Sequence, residues 1–132
     1  MKMGKEHRVP LYDRAVSILK DLPAEGDFVF PGAKKKQPLS NMGMLQLLRG
    51  MRDSVTVHGF RSTFRDWAGD QTNYQNHVVE MALAHEIGDR VEAAYRRSDL
   101  FERRQRLMQS WERYCGGKGE SARNDNVVRV GG

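Results

Sequence analysis

Two things are scarce in this sequence. Cysteine occurs once, at Cys115, so no disulfide can close within the chain and no cysteine-based zinc site can be assembled. Long apolar runs are also missing: no stretch approaches the ~20 residues that span a bilayer. No apolar signal region follows Met1-Lys2-Met3-Gly4-Lys5, so a soluble cytoplasmic protein is expected. Metal-assisted hydrolysis is a poor fit, because the Asp and Glu residues do not fall at ligand spacing from His58, His77 and His85. No internal repeat is visible.

What is present is positive charge. The 132 residues carry 22 Lys and Arg against 17 Asp and Glu, a formal charge of +5 with a pI near 9.6. Such a balance favours an anionic partner, nucleic acid foremost, although a basic total also arises from a solvated surface. The loop from Gly32 to Pro38 concentrates Lys34, Lys35 and Lys36. It reads as a solvated loop or as a contact to phosphate. The length fits one domain, or a fragment of a larger enzyme.

The pattern along the chain predicts a mainly α fold with a small N-terminal antiparallel β-sheet or hairpin. His7 to Leu11 and Phe28 to Phe30 read as short strands, the second stopped by Pro31-Gly32. Between them Ala15, Ile18, Leu19 and Leu22 recur at helical spacing, with Asp13 at the start and Pro23 ending the run. Ser40 is placed to cap a helix whose apolar face is Met44, Leu45, Leu47, Leu48 and Met51. Phe60, Phe64, Trp67 and Ala68 form the next stripe. A packed helix from His77 to His85 follows, then a short helical turn around Val91, Ala94 and Tyr95. The last helix spans Ser98 to Cys115 and is stopped by Gly116 and Gly117. Its apolar face is read as core packing, with exposure of Leu107 or Trp111 as the sign of docking on a neighbour. Residues 116–132, rich in Gly, Ser, Asn and Arg, are expected to form a disordered tail.

The chemistry-bearing residues are few and ordered. His58-Gly59-Phe60-Arg61 puts an imidazole and a guanidinium three residues apart, on one face of a helix, where both can reach one phosphate. Arg65, one turn on, reads as a surface charge or a backbone-phosphate contact. His85 stands at a helix end, and Tyr95 follows after a polar turn, with Arg96 and Arg97 behind it. A phenol with an ordinary pKa near 10 must be activated by neighbouring cations or by a base before it can act as a nucleophile. Taken singly, each of these residues is as well explained by packing or surface exposure. Their order is the signal.

His58-Gly59-Phe60-Arg61, then Leu83-Ala84-His85, then Ala94-Tyr95, with Leu107-Met108-Gln109-Ser110-Trp111 behind, resembles the C-terminal catalytic domain of tyrosine recombinases. Integrases of temperate phages and genomic islands are the most similar group, and the likeness covers residues 1–115. The resemblance implies the C-terminal part of that catalytic fold and a DNA integration and recombination chemistry that uses no metal or other cofactor. Tyr95 would attack the scissile phosphate to form a 3′-phosphotyrosyl link and release a 5′-hydroxyl. Arg61 would neutralise the non-bridging oxygens. His58 would orient the phosphate or accept the tyrosine proton, and His85 would donate a hydrogen bond to a non-bridging oxygen. Lys2 would be the hairpin lysine that protonates the leaving 5′-oxygen, with Lys5 as the competing assignment. The partners implied are double-stranded DNA attachment sites and further copies of the chain, docked through the C-terminal helix. The setting implied is a bacterial or phage-encoded, nucleoid-associated protein.

One departure stands out. Members of that family carry another catalytic arginine well before the hairpin lysine, and no arginine precedes Lys2 here. The expectation is therefore an N-terminally truncated catalytic piece with weak or no activity by itself. A type IB topoisomerase uses similar groups, and a non-catalytic helical DNA-binding module is the alternative outside enzymology.

Overall fold

A computed structural model describes residues 6–85, 88, 90 and 100–117. The chain divides into two compact units, one formed by Met1–Tyr12 with Phe64–Gly132 and the other by Asp13–Thr63. The described residues hold five helices. These are α1 (Asp13–Asp21), α2 (Gly43–Met51), α3 (Gly59–Gln71), α4 (Asn76–Ala82) and α5 (Phe101–Cys115). The unit boundary falls within α3.

The core of the first unit comes from α3, α4 and α5. Phe64, Trp67 and Ala68 from α3 pack with Val78, Val79 and Leu83 from α4 and its end, and with Leu100, just before α5, and Leu107 within it. Spacings of three and four residues place these side chains on the inward stripe of each helix. An aromatic group closes one end: Phe64 meets Trp111 edge-on at 5.2 Å between centroids, and Tyr114 stacks on Trp111 at 5.6 Å. Trp67 joins both at 5.0 and 5.7 Å. Offset and edge contacts of this kind add to the burial of the rings. Leu107 is fully buried and Trp111 half-buried in this group. The apolar face of α5 thus packs into the core of its own unit. The helix ends at the expected glycines, where Gly117 takes a φ of 70° and bonds back to the Tyr114 carbonyl.

The expected N-terminal antiparallel sheet is absent among the described residues. His7 to Leu11 is irregular, and Phe28 to Phe30 forms a bend. All that remains of pairing is one isolated antiparallel bridge between Pro31 and Pro38, beside a bond from the Leu39 N–H to the Phe30 carbonyl. The reason is chemical: Pro10, Pro31 and Pro38 have no N–H to give a ladder, and a short two-stranded pairing is marginal by itself. The segment around Arg8 is held differently. The Arg104 guanidinium donates to the Arg8 carbonyl, and the Arg8 guanidinium lies over the Phe101 ring at 4.5 Å. Lys2 to Lys5, the other half of the expected hairpin, lies outside the described residues.

In the second unit, α1 begins at Asp13 as expected and ends two residues before Pro23. Ser40 does not act as a side-chain cap for α2: the helix starts after Met42, and the Gly43 N–H bonds to the Ser40 carbonyl instead. The apolar face of α2 is present, but Leu47 and Met51 are 65% and 70% exposed. The lysine loop is compact. Its Gly32 N–H bonds to the Gln37 carbonyl, and a Cβ at Gly32 would lie 2.4 Å from the Pro38 oxygen, so only glycine fits.

Candidate functional site

His58 and Arg61 stand at the entrance to α3. Thr56 caps this turn: its hydroxyl oxygen accepts the Gly59 N–H at 3.0 Å. Any side chain at Gly59 would crowd that hydroxyl, since a Cβ would stand 3.1 Å from it. The Arg61 N–H then bonds to the His58 carbonyl at 3.0 Å, so the two residues are one turn apart. His58 is exposed and Arg61 half-buried. The first turn of α3 holds no acidic residue, so the positive end of the helix dipole adds to the Arg61 charge instead of being cancelled. An imidazole, a guanidinium and a helix start of this kind suit an anion.

His85 is held by a different device. α4 ends at Ala82, and Ala84 turns left-handed with a φ of 55°. Two bonds close the end: Ala84 N–H to the Met81 carbonyl at 3.1 Å and His85 N–H to the Glu80 carbonyl at 2.9 Å. This pair is a Schellman cap, with alanine in the position usually given to glycine. It brings His85 back over the helix end, where its Nδ1 meets the Glu80 carboxylate at 2.5 Å. Glu80 is itself buried, and its other oxygen lies 2.8 Å from the Arg65 guanidinium. That second contact is an ion pair without hydrogen-bond directionality. The carboxylate thus sits between a cation and an imidazole.

Arg65 is therefore tied to Glu80 and is not the solitary surface charge that its position on α3 suggests. Glu80 is the residue that reading the sequence missed. Its signal is an acid among Val78, Val79 and Met81, five residues before a histidine at a helix end, the spacing that the longer bond of a Schellman cap closes.

Of the expected site residues, the described structure joins His58 with Arg61 in one unit and shows His85 in the other. Tyr95, Lys2 and Lys5 lie outside the described residues, as do Arg96 and Arg97. The other three tyrosines are in view. Burial pushes the Tyr12 phenol up, with Tyr74 and Glu112 adding to the effect. The Tyr74 hydroxyl is 3.1 Å from Ser110, and Tyr114 is stacked on Trp111. Among the described residues no group of three or more His, Cys, Asp or Glu is placed to hold a metal ion. No described helix is long and apolar enough to cross a membrane.

Comparison with known proteins gives a consistent set of relatives. The chain is 37% identical over 117 residues to prophage integrase IntA of Escherichia coli K12. It is 31% identical over 116 residues to prophage integrase IntZ of the same strain. It is also 31% identical over 123 residues to the integrase of enterobacteria phage P4. These matches take in 84%, 84% and 86% of this chain but only 28%, 29% and 28% of the relatives' own lengths. No family model and no solved structure matches the chain.

Proposed function

We propose that this chain, a homologue of phage and prophage integrases over most of its length, is the C-terminal catalytic part of a site-specific tyrosine recombinase. The observation that carries the proposal is the alignment with three named integrases, which spans the stretch from the His58–Arg61 pair to α5 only because it takes in at least 84% of the chain. Residues 1–115 form the catalytic part in this reading, and residues 116–132 are a tail.

Tyr95 is the nucleophile. Its oxygen attacks the phosphorus of a DNA phosphodiester as its proton passes to a base, His58 or solvent water; a 3′-phosphotyrosyl bond forms, the bond to the 5′-oxygen breaks, and that oxygen leaves with a proton from Lys2. The link conserves the energy of the broken bond, so rejoining needs no nucleotide. Arg61 and His58 meet the non-bridging oxygens as charge builds on them, and His85 adds a further contact. Support for Tyr95 also comes from two of the other tyrosines: burial raises the Tyr12 phenol, and the Tyr74 hydroxyl is engaged with Ser110. Losing one preorganised donor costs about 3 kcal/mol, roughly two orders of magnitude in rate, so Arg61→Ala is expected to slow cleavage by that factor.

The test is recovery of DNA bound covalently to the denatured chain after long incubation with nicked duplexes bearing the attachment site. An adduct that disappears in Tyr95→Phe is expected. An adduct that survives this change sinks the assignment. DNA binding with no adduct at all would favour a non-catalytic helical DNA-binding module, and relaxation of supercoils without strand exchange a type IB topoisomerase.

A further inference from the structure

Glu80 has no part in the reaction as drawn above, yet it is the most unusual residue near the site: a buried carboxylate with each oxygen committed, one to Arg65 at 2.8 Å and one to His85 Nδ1 at 2.5 Å. A carboxylate can only accept, so the ring nitrogen that faces it must carry the proton. Burying an acid is costly unless it is paired. Here Arg65 supplies the countercharge and is itself half in solvent, with its side chain 54% exposed. The backbone removes the remaining freedom, because the left-handed Ala84 and the bond from His85 N–H to the Glu80 carbonyl fix where the ring starts.

We infer that Glu80 is a positioning residue that locks His85 in the Nδ1–H tautomer and leaves Nε2 to face the phosphodiester. The role of that nitrogen at phosphate rests on the recombinase reading; the tautomer does not. The consequence is specific. Neutral His85 presents a lone pair at Nε2 and cannot donate from it. It donates to a non-bridging oxygen only as imidazolium, protonated on both nitrogens, with Glu80 as the countercharge that stabilises this form. The logic is that of the carboxylate behind the imidazole in a serine protease triad, where the acid sets the tautomer and steadies the charged ring. Arg65 acts one step further out, as the cation 2.8 Å from the other Glu80 oxygen.

Nitrogen NMR of the 132-residue chain tests this without any DNA chemistry. Imidazole couplings at a pH where His85 is neutral are expected to report Nδ1 as the protonated nitrogen. A majority of the Nε2–H form in the wild-type chain overturns the inference outright, even if no variant folds. In Glu80→Ala the tautomer is expected to switch to mainly Nε2–H, and in Arg65→Ala the Nδ1–H form is expected to persist. A Glu80→Ala chain that folds and keeps Nδ1–H also overturns it. In the covalent-adduct assay Glu80→Ala is expected to slow cleavage by about 10-fold, the difference between a charged and a neutral donor at Nε2, with DNA affinity unchanged. A weaker affinity at an unchanged cleavage rate would contradict the positioning role. Failure of the adduct with the Nδ1–H form intact would remove the recombinase reading and leave the Glu80–His85 pair standing.

Discussion

Ala84 shows how much a single residue can decide. Its φ of 55° is a region that costs an L-residue about 1–2 kcal/mol, whereas glycine enters it freely and loses about 0.5–1 kcal/mol through its own chain entropy. Ala84→Gly should therefore raise stability by about 0.5–1 kcal/mol, read as a higher denaturant midpoint at an unchanged slope. Ala84→Val should lower it, because a branched side chain tolerates that conformation worst. A destabilising glycine would mean that the cap is not formed as described. The same residue explains why Ala-His reads as a unit: alanine makes the turn, and the histidine after it lands on Glu80. The acid partner is not legible from composition or helical periodicity, since both treat Glu80 as one more polar position.

At the scale of the helices, α5 separates packing from docking. Leu107 has no exposed surface, so Leu107→Ala should cost about 2–5 kcal/mol of stability in denaturant unfolding, as large-to-small changes in a core do. Its sedimentation should be unchanged wherever the chain remains folded. A stable variant with altered self-association would make this face an interface instead. The helices were largely readable in advance because the stripes Phe64, Trp67, Ala68 and Val78, Val79, Leu83 repeat at helical spacing and fall on one core. The strands were not. Val9, Phe28, Val29 and Phe30 have the composition of strands, but all are exposed and prolines interrupt the bonds a ladder would need. The capping role expected of Ser40 failed for a local reason, because its backbone carbonyl rather than its hydroxyl meets the helix start.

The lysine loop is the element with two readings, and salt distinguishes them. Each phosphate neutralised contributes about 0.9 to the slope of log affinity against log salt. Replacing Lys34, Lys35 and Lys36 by alanine should flatten that slope by up to about 2.7 if all three touch the backbone. An unchanged slope would leave the loop as solvated surface.

For the whole molecule, the excess of basic residues matters through its distribution. A formal charge of +5 favours an anionic partner without choosing a sequence or a bond. Choice of bond requires a nucleophile and a phosphate clamp, and the pair proposed as that clamp, His58 and Arg61, stands at a capped helix start with no acid in its first turn. The homology with phage and prophage integrases gives this arrangement its reading, and Tyr95 is where that reading is most exposed to failure. Trypsin cuts after Arg90 and Arg96, releasing Val91-Glu92-Ala93-Ala94-Tyr95-Arg96. Mass spectrometry of nuclease-trimmed adducts should find the nucleotide 3′-phosphate on that peptide, at the tyrosine. A nucleotide carried by Tyr12, Tyr74, Tyr114 or any residue other than Tyr95 would contradict the account.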